Sequence, residues 1–114
     1  MKKFCAGIFL TVAIIFFSQI NSAEAYNYDL GIYPESGLRG YLMTETVRIN
    51  PSSGSFSCTI VCYPSGRPYR INYDFWQGSN GFYFRNSDGY SEQLSAYRTP
   101  VEYNAYRYIW LGYR

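Results

Sequence analysis

From residue 56 onward, hydrophobic and polar positions alternate along the chain. In Phe56-Ser57-Cys58-Thr59-Ile60-Val61-Cys62-Tyr63, one face collects Phe56, Cys58, Ile60 and Cys62. Tyr69, Ile71, Tyr73 and Phe75 then alternate with Arg70, Asn72, Asp74 and Trp76, and Phe82 and Phe84 with Tyr83 and Arg85. Period-two patterning of aromatic and β-branched residues predicts half-buried strands. Segments 28–33 and 41–50 read as two further strands upstream. Pro64-Ser65-Gly66-Arg67-Pro68 and Gln77-Gly78-Ser79-Asn80-Gly81 supply short turn segments. Connections that short join antiparallel neighbours, so the pattern predicts a meander.

The period changes at the C-terminus. Thr99-Pro100-Val101-Glu102 carries three signals of a helix start: a capping hydroxyl at Thr99, Pro100 at the first helical position, and Glu102 placed to reach back to the Thr99 amide. Val101, Ala105, Tyr108, Ile109 and Gly112 form one helical stripe, while Tyr103, Asn104, Arg107 and Arg114 fall on other faces. The helix is placed from Pro100 to about residue 111, where it can cover one face of the sheet. The fold class predicted is α+β: an antiparallel β-meander of about five to six strands with a C-terminal α-helix packed on one face.

The first 25 residues have a different character. Lys2 and Lys3 precede a 14-residue apolar run from Phe4 to Phe17, then polar residues and Ala23-Glu24-Ala25. A basic start, a short apolar run and an A-x-A site read as a secretory signal peptide over residues 1–25. The run falls short of the roughly 20 residues of a membrane-spanning helix. Residues 26–114 then form a single small exported domain, secreted, periplasmic or at the cell surface, with no stable membrane insertion after cleavage. That domain keeps eight arginines against seven carboxylates, a net charge of +1, which gives no reason to expect nucleic acid.

Cys58 and Cys62 would sit on one strand, with Cα atoms roughly 13 Å apart where a disulfide needs less than about 7 Å. Three outcomes stay open: two buried thiols, an internal bond across an irregular segment, or a bond to a second chain that makes a homodimer. Zinc does not fit, because two cysteines supply two ligands and nothing nearby completes four. The chain has no His, which removes Ser-His-Asp and Cys-His catalysis. The carboxylates Asp29, Glu35, Glu45, Asp74, Asp88, Glu92 and Glu102 are scattered, and a domain this small offers little room for a deep cleft between two of them. No phosphate-binding glycine spacing appears, and no catalytic residue, metal or cofactor is assigned.

What remains is aromatic and arginine content. Arg70, Trp76, Tyr83 and Arg85 share the face opposite Ile71, Phe75, Phe82 and Phe84, and such a surface suits contact with a protein or glycan. The same residues also serve as strand formers and stacking partners within a thin sheet. The expectation is a non-catalytic binding module of the cell envelope or extracellular space. A competing class is a secreted inhibitor of a hydrolase, acting through the turn at 64–68 or at 77–81.

The layout resembles the surface-adhesin protein E family of small exported bacterial proteins. The likeness rests on Tyr41-Leu42-Met43-Thr44-Glu45-Thr46-Val47, on the aromatic hairpin from Tyr69 to Phe84, and on the Pro-started helix Pro100-Val101-Glu102-Tyr103-Asn104-Ala105-Tyr106-Arg107-Tyr108-Ile109-Trp110. It covers about residues 41–110. Position 43 is Met where the family tends to carry an acidic residue. The helix also lacks the family's terminal Cys, so the usual strand-to-helix disulfide has no second partner. The resemblance implies an α+β domain and, for some members, adhesion to host matrix proteins.

Overall fold

Alternation becomes a single six-stranded sheet. The computed structural model describes residues 27–112, and the expected signal peptide over residues 1–25 lies outside the described residues, as does Arg114. The strands are β1 (Asn27–Ile32), β2 (Arg39–Asn50), β3 (Ser55–Cys62), β4 (Tyr69–Gly78), β5 (Gly81–Asn86) and β6 (Ser91–Gln93), followed by the helix α1 (Pro100–Ile109). Each strand pairs antiparallel with the next, giving the spatial order β1-β2-β3-β4-β5-β6. This is the predicted α+β meander with its C-terminal helix on one face.

The core is the inward half of the alternation. Phe56, Cys58 and Ile60 of β3, Ile71, Tyr73 and Phe75 of β4, and Phe82 and Phe84 of β5 are all buried. Phe56 and Phe75 are register partners, and their rings stack at 4.5 Å. Val101, Ala105, Tyr108 and Ile109 of α1 are buried against this face, chiefly over β1 and β2. Burying Val101 and Ile109 contributes roughly 3–6 kcal/mol as an upper estimate. Close approach needs Gly40 of β2, where an added Cβ would lie 3.0 Å from Val101 Cγ1 and 3.2 Å from Ile60 Cγ2. Gly112 lies beyond the helix end and is exposed, so the stripe stops at Ile109.

Two irregularities shape the sheet. Asp29 pairs with Tyr41 and Gly31 with Gly40, so Leu30 is an extra residue in β1. Its side chain is buried in the core, and its carbonyl accepts a 2.8 Å hydrogen bond from Asn104 Nδ2 of α1. On β2 the step from Met43 to Arg48 opposes only the step from Thr59 to Ser57 on β3. Thr46 Oγ1 holds that larger bulge, donating to the Met43 carbonyl at 2.6 Å and accepting from the Thr59 amide at 2.8 Å.

The helix starts where its residues predict, but not by the predicted bonds. Thr99 is the cap residue and Pro100 occupies the first turn, yet Thr99 makes no side-chain capping bond. Its hydroxyl serves the preceding turn instead, accepting from the Ser95 amide at 2.8 Å and donating to the Ser95 carbonyl at 2.9 Å. The Thr99 amide also goes to Ser95 O, so it is not available to Glu102. Glu102 turns inward. Cys58 and Cys62 are unbonded and buried, because β3 runs without a turn through both.

Candidate functional site

Two places carry concentrated side-chain chemistry. The first is the outer sheet face, away from α1. Trp76 of β4 and Tyr83 of β5 are register partners, and their rings lie nearly parallel, 6.1 Å apart and inclined by 15°. The Arg85 guanidinium stands 5.8 Å from the centre of the Trp76 ring. Arg85 also faces its register partner Asp74 at 4.0 Å, a pair too exposed to add much stability. Beside Trp76 lies a groove of about 320 Å³ lined by Arg48, Asn50, Ser57 and Asp74 among others. Arg48 is fixed there by donating to the carbonyls of Glu45 and Val47, at 3.0 and 2.8 Å.

The structure therefore brings together Trp76, Tyr83 and Arg85, and leaves Arg70 apart. Arg70 shares their face but sits six positions up β4 from Trp76, roughly 20 Å away at strand spacing. Its register partner is Val61, a buried residue on this outer side whose other partner is Tyr41. Tyr41 meets Tyr63 edge-on at 6.0 Å. An apolar Val61 on the polar side of the alternation is the sequence signal for that second aromatic group.

The second place is a cavity of about 290 Å³ on the helix side, bordered by the turn after β1, by β3 to β6, and by the start of α1. The expectation of little room for a cleft fails here, because α1 lies over β1 and β2 and leaves this end of the core face open. Glu102 lines the cavity and is only 6% exposed. Its Oε2 accepts a 2.6 Å hydrogen bond from the Tyr73 hydroxyl. Tyr33 Oη lies 3.0 Å from Tyr73 Oη, and since the Tyr73 proton is given to Glu102, Tyr33 is the donor in that contact. A three-member relay, Tyr33 to Tyr73 to Glu102, thus crosses the base of the cavity.

Burial pushes the Glu102 carboxyl above the ordinary carboxylate range, opposed by the Tyr73 hydrogen bond. Burial likewise pushes the Tyr33 and Tyr73 hydroxyls up. At the mouth, Tyr69 donates to Asp88 at 2.6 Å, which raises the Tyr69 hydroxyl, and Arg98 is paired with Glu92. Burial raises the Cys62 thiol in the cavity wall, and raises Cys58 within the core. Neither thiol is poised to react as a nucleophile.

The Thr99-x-x-Glu102 spacing predicts a cap role for Glu102, and its carboxylate meets Tyr73 instead. A second signal lies in the same residues: Glu102 precedes Ala105 by three and Ile109 by seven, which sets it on the apolar stripe. No family model, curated protein or solved structure matches the chain.

Proposed function

We propose that this is an exported, non-catalytic binding module of the cell envelope or extracellular space, engaging a glycan or protein through its outer sheet face. The observation that carries the reading is the Trp76–Tyr83–Arg85 stack on a face not covered by α1. Rigid aromatic rings give large contact area at small entropic cost, and flanking polar groups orient what lies on them. The groove beside Trp76 favours a saccharide, since Arg48, Asn50, Ser57 and Asp74 supply donors and acceptors around one aromatic ring. Export rests on the signal-like residues 1–25, and the resemblance to adhesin proteins points toward contact with host or envelope material.

The test is binding of the purified protein to a glycan array and to immobilised matrix proteins, repeated with Trp76→Ala and with Arg85→Ala. Each substitution should weaken binding by roughly tenfold or more while leaving the circular dichroism unchanged. Unchanged binding by both variants would refute the placement. A second reading, inhibition of a hydrolase, is favoured by one feature. The exposed turn Pro64–Gly66 holds Ser65 at φ 55°, a fixed and unusual backbone shape for a non-glycine residue. Replacing residues 64–68 would abolish inhibition and spare glycan binding.

A further inference from the structure

The cavity beneath α1 is separate from the outer face, and its chemistry points to a different ligand. Glu35, Asp88, Glu92 and Glu102 all line it, four of the eight acidic residues of the whole chain. Against them stands one cation, Arg98, already engaged by Glu92. On a protein whose formal net charge is +2, this is a pronounced local reversal of sign. A concave site lined by one sign of charge concentrates ions of the other.

Glu102 adds an independent observation. Its side chain is almost fully buried and borders the cavity, and Tyr73 serves Oε2 alone. Among the described residues the other hydrogen bond to the carboxylate comes from the Glu102 backbone amide, and no cation pairs with it. A buried carboxylate without a counter-charge is costly, and a cation entering the cavity would relieve it.

The walls select among cations. Among the described residues no three His, Cys, Asp or Glu side chains converge closely enough to hold a metal ion. The acidic groups are spread from mouth to base, and between them stand aromatic and apolar side chains, including Tyr33, Tyr69, Ile71, Phe84 and Tyr90. Phenol faces attract a diffuse organic cation, and apolar walls suit a methylene stem. A small inorganic ion would find neither advantage useful.

We infer that this cavity is a binding site for an organic cation, a guanidinium or ammonium group carried on an aliphatic stem, with Glu102 as its counter-charge at the base and Glu35 and Asp88 drawing it in at the mouth. The planar fork of a guanidinium fits a carboxylate that no other cation pairs with, and the volume accommodates an arginine-sized side chain. The site acts independently of the outer-face platform, and the loss of one would leave the other intact.

The experiment titrates the purified protein with Nα-acetyl-arginine methylamide, with its neutral citrulline counterpart and with agmatine, followed by calorimetry and by NMR shifts. The arginine compound should bind saturably, and the citrulline compound at least about tenfold more weakly. Tighter binding of the peptide-like compound than of agmatine assigns the cation to a protein side chain; the reverse assigns it to a free amine. Glu102→Gln should weaken the arginine compound by about tenfold or more, with a melting temperature no lower than that of the parent. Should that variant fail to fold, Glu35→Gln with Asp88→Asn tests the mouth, with a severalfold loss and a flatter salt dependence expected. Equal binding of the arginine and citrulline compounds, or no saturable binding of the arginine compound at about 10 mM, overturns the inference. Those results would leave the Trp76→Ala experiment unaffected.

Discussion

Removing one hydroxyl tests the buried relay directly. Tyr73→Phe keeps the ring that packs against both Phe75 and Phe84, each with its centroid 5.7 Å away, and deletes only the bond to Glu102 and the acceptor for Tyr33. Tyr33, half-buried, loses only a neutral acceptor. Glu102 is nearly enclosed, and water cannot readily replace the donor it loses. A hydrogen bond to a charged group contributes about 1.5–3 kcal/mol, so the variant should lose about 2 kcal/mol. In a domain of this size that lowers the melting temperature by roughly 10–15 °C.

The pH dependence separates this cause from a general packing defect. The Glu102 carboxyl is already raised by burial, and the Tyr73 bond holds it down. A raised acid favours the folded state at low pH, and that contribution is lost as pH rises through the folded value. Deleting the hydroxyl raises the carboxyl further, so the penalty of Tyr73→Phe is greatest when Glu102 is ionised. It should shrink as pH falls and the carboxyl takes a proton. Urea unfolding of both proteins at neutral and at acid pH measures the difference. A variant with unchanged stability, or a loss that is the same at both pH values, would refute the relay.

Three further outcomes follow from the packing. Ala105→Pro places a ring in the middle of α1 at a fully buried position, so it should cost about 3 kcal/mol or more and unfold most of the protein, read by far-ultraviolet circular dichroism. Gly40→Ala forces apart Val101, Tyr33 and Ile60, all within 3.2 Å of the new methyl, and should cost about 1–3 kcal/mol in urea unfolding. Gly78→Ala sets a methyl 2.5 Å from the Tyr83 ring, which must swing off Trp76. Near-ultraviolet circular dichroism should change while stability falls by less than about 1 kcal/mol, and an unaltered aromatic signal would show that the stack does not depend on Gly78.

The strands were legible because each carries its own evidence: the parity of Ile71, Tyr73 and Phe75 is enough to assign a face. β6 has only three residues, too few to show a period, and it owes its place to pairing with β5. Parity sets Arg70 and Trp76 on one face, and six strand positions still separate them, so a shared face is not a shared cluster. The cavity was beyond reach for a different reason. Tyr33, Cys62, Tyr73, Glu92 and Glu102 come from five separate segments, and no local pattern links them. Glu102 itself was concealed by a familiar spacing: Thr99-Pro100-Val101-Glu102 offered a local partner, while the Ser95 turn had already taken the Thr99 groups that partner would use.

The bond from Asn104 to the Leu30 carbonyl joins residues 74 positions apart, linking the final helix to the first described strand. Its consequence is one of timing. A ribosome delivers the meander first, and until α1 has emerged that sheet has no element to cover Leu30, Leu42 and Ile60. The sheet thus stays incomplete, its apolar face open to a chaperone, until residues 100–109 have been made. Closure of the core therefore waits on α1, because the meander alone cannot cover its own apolar face.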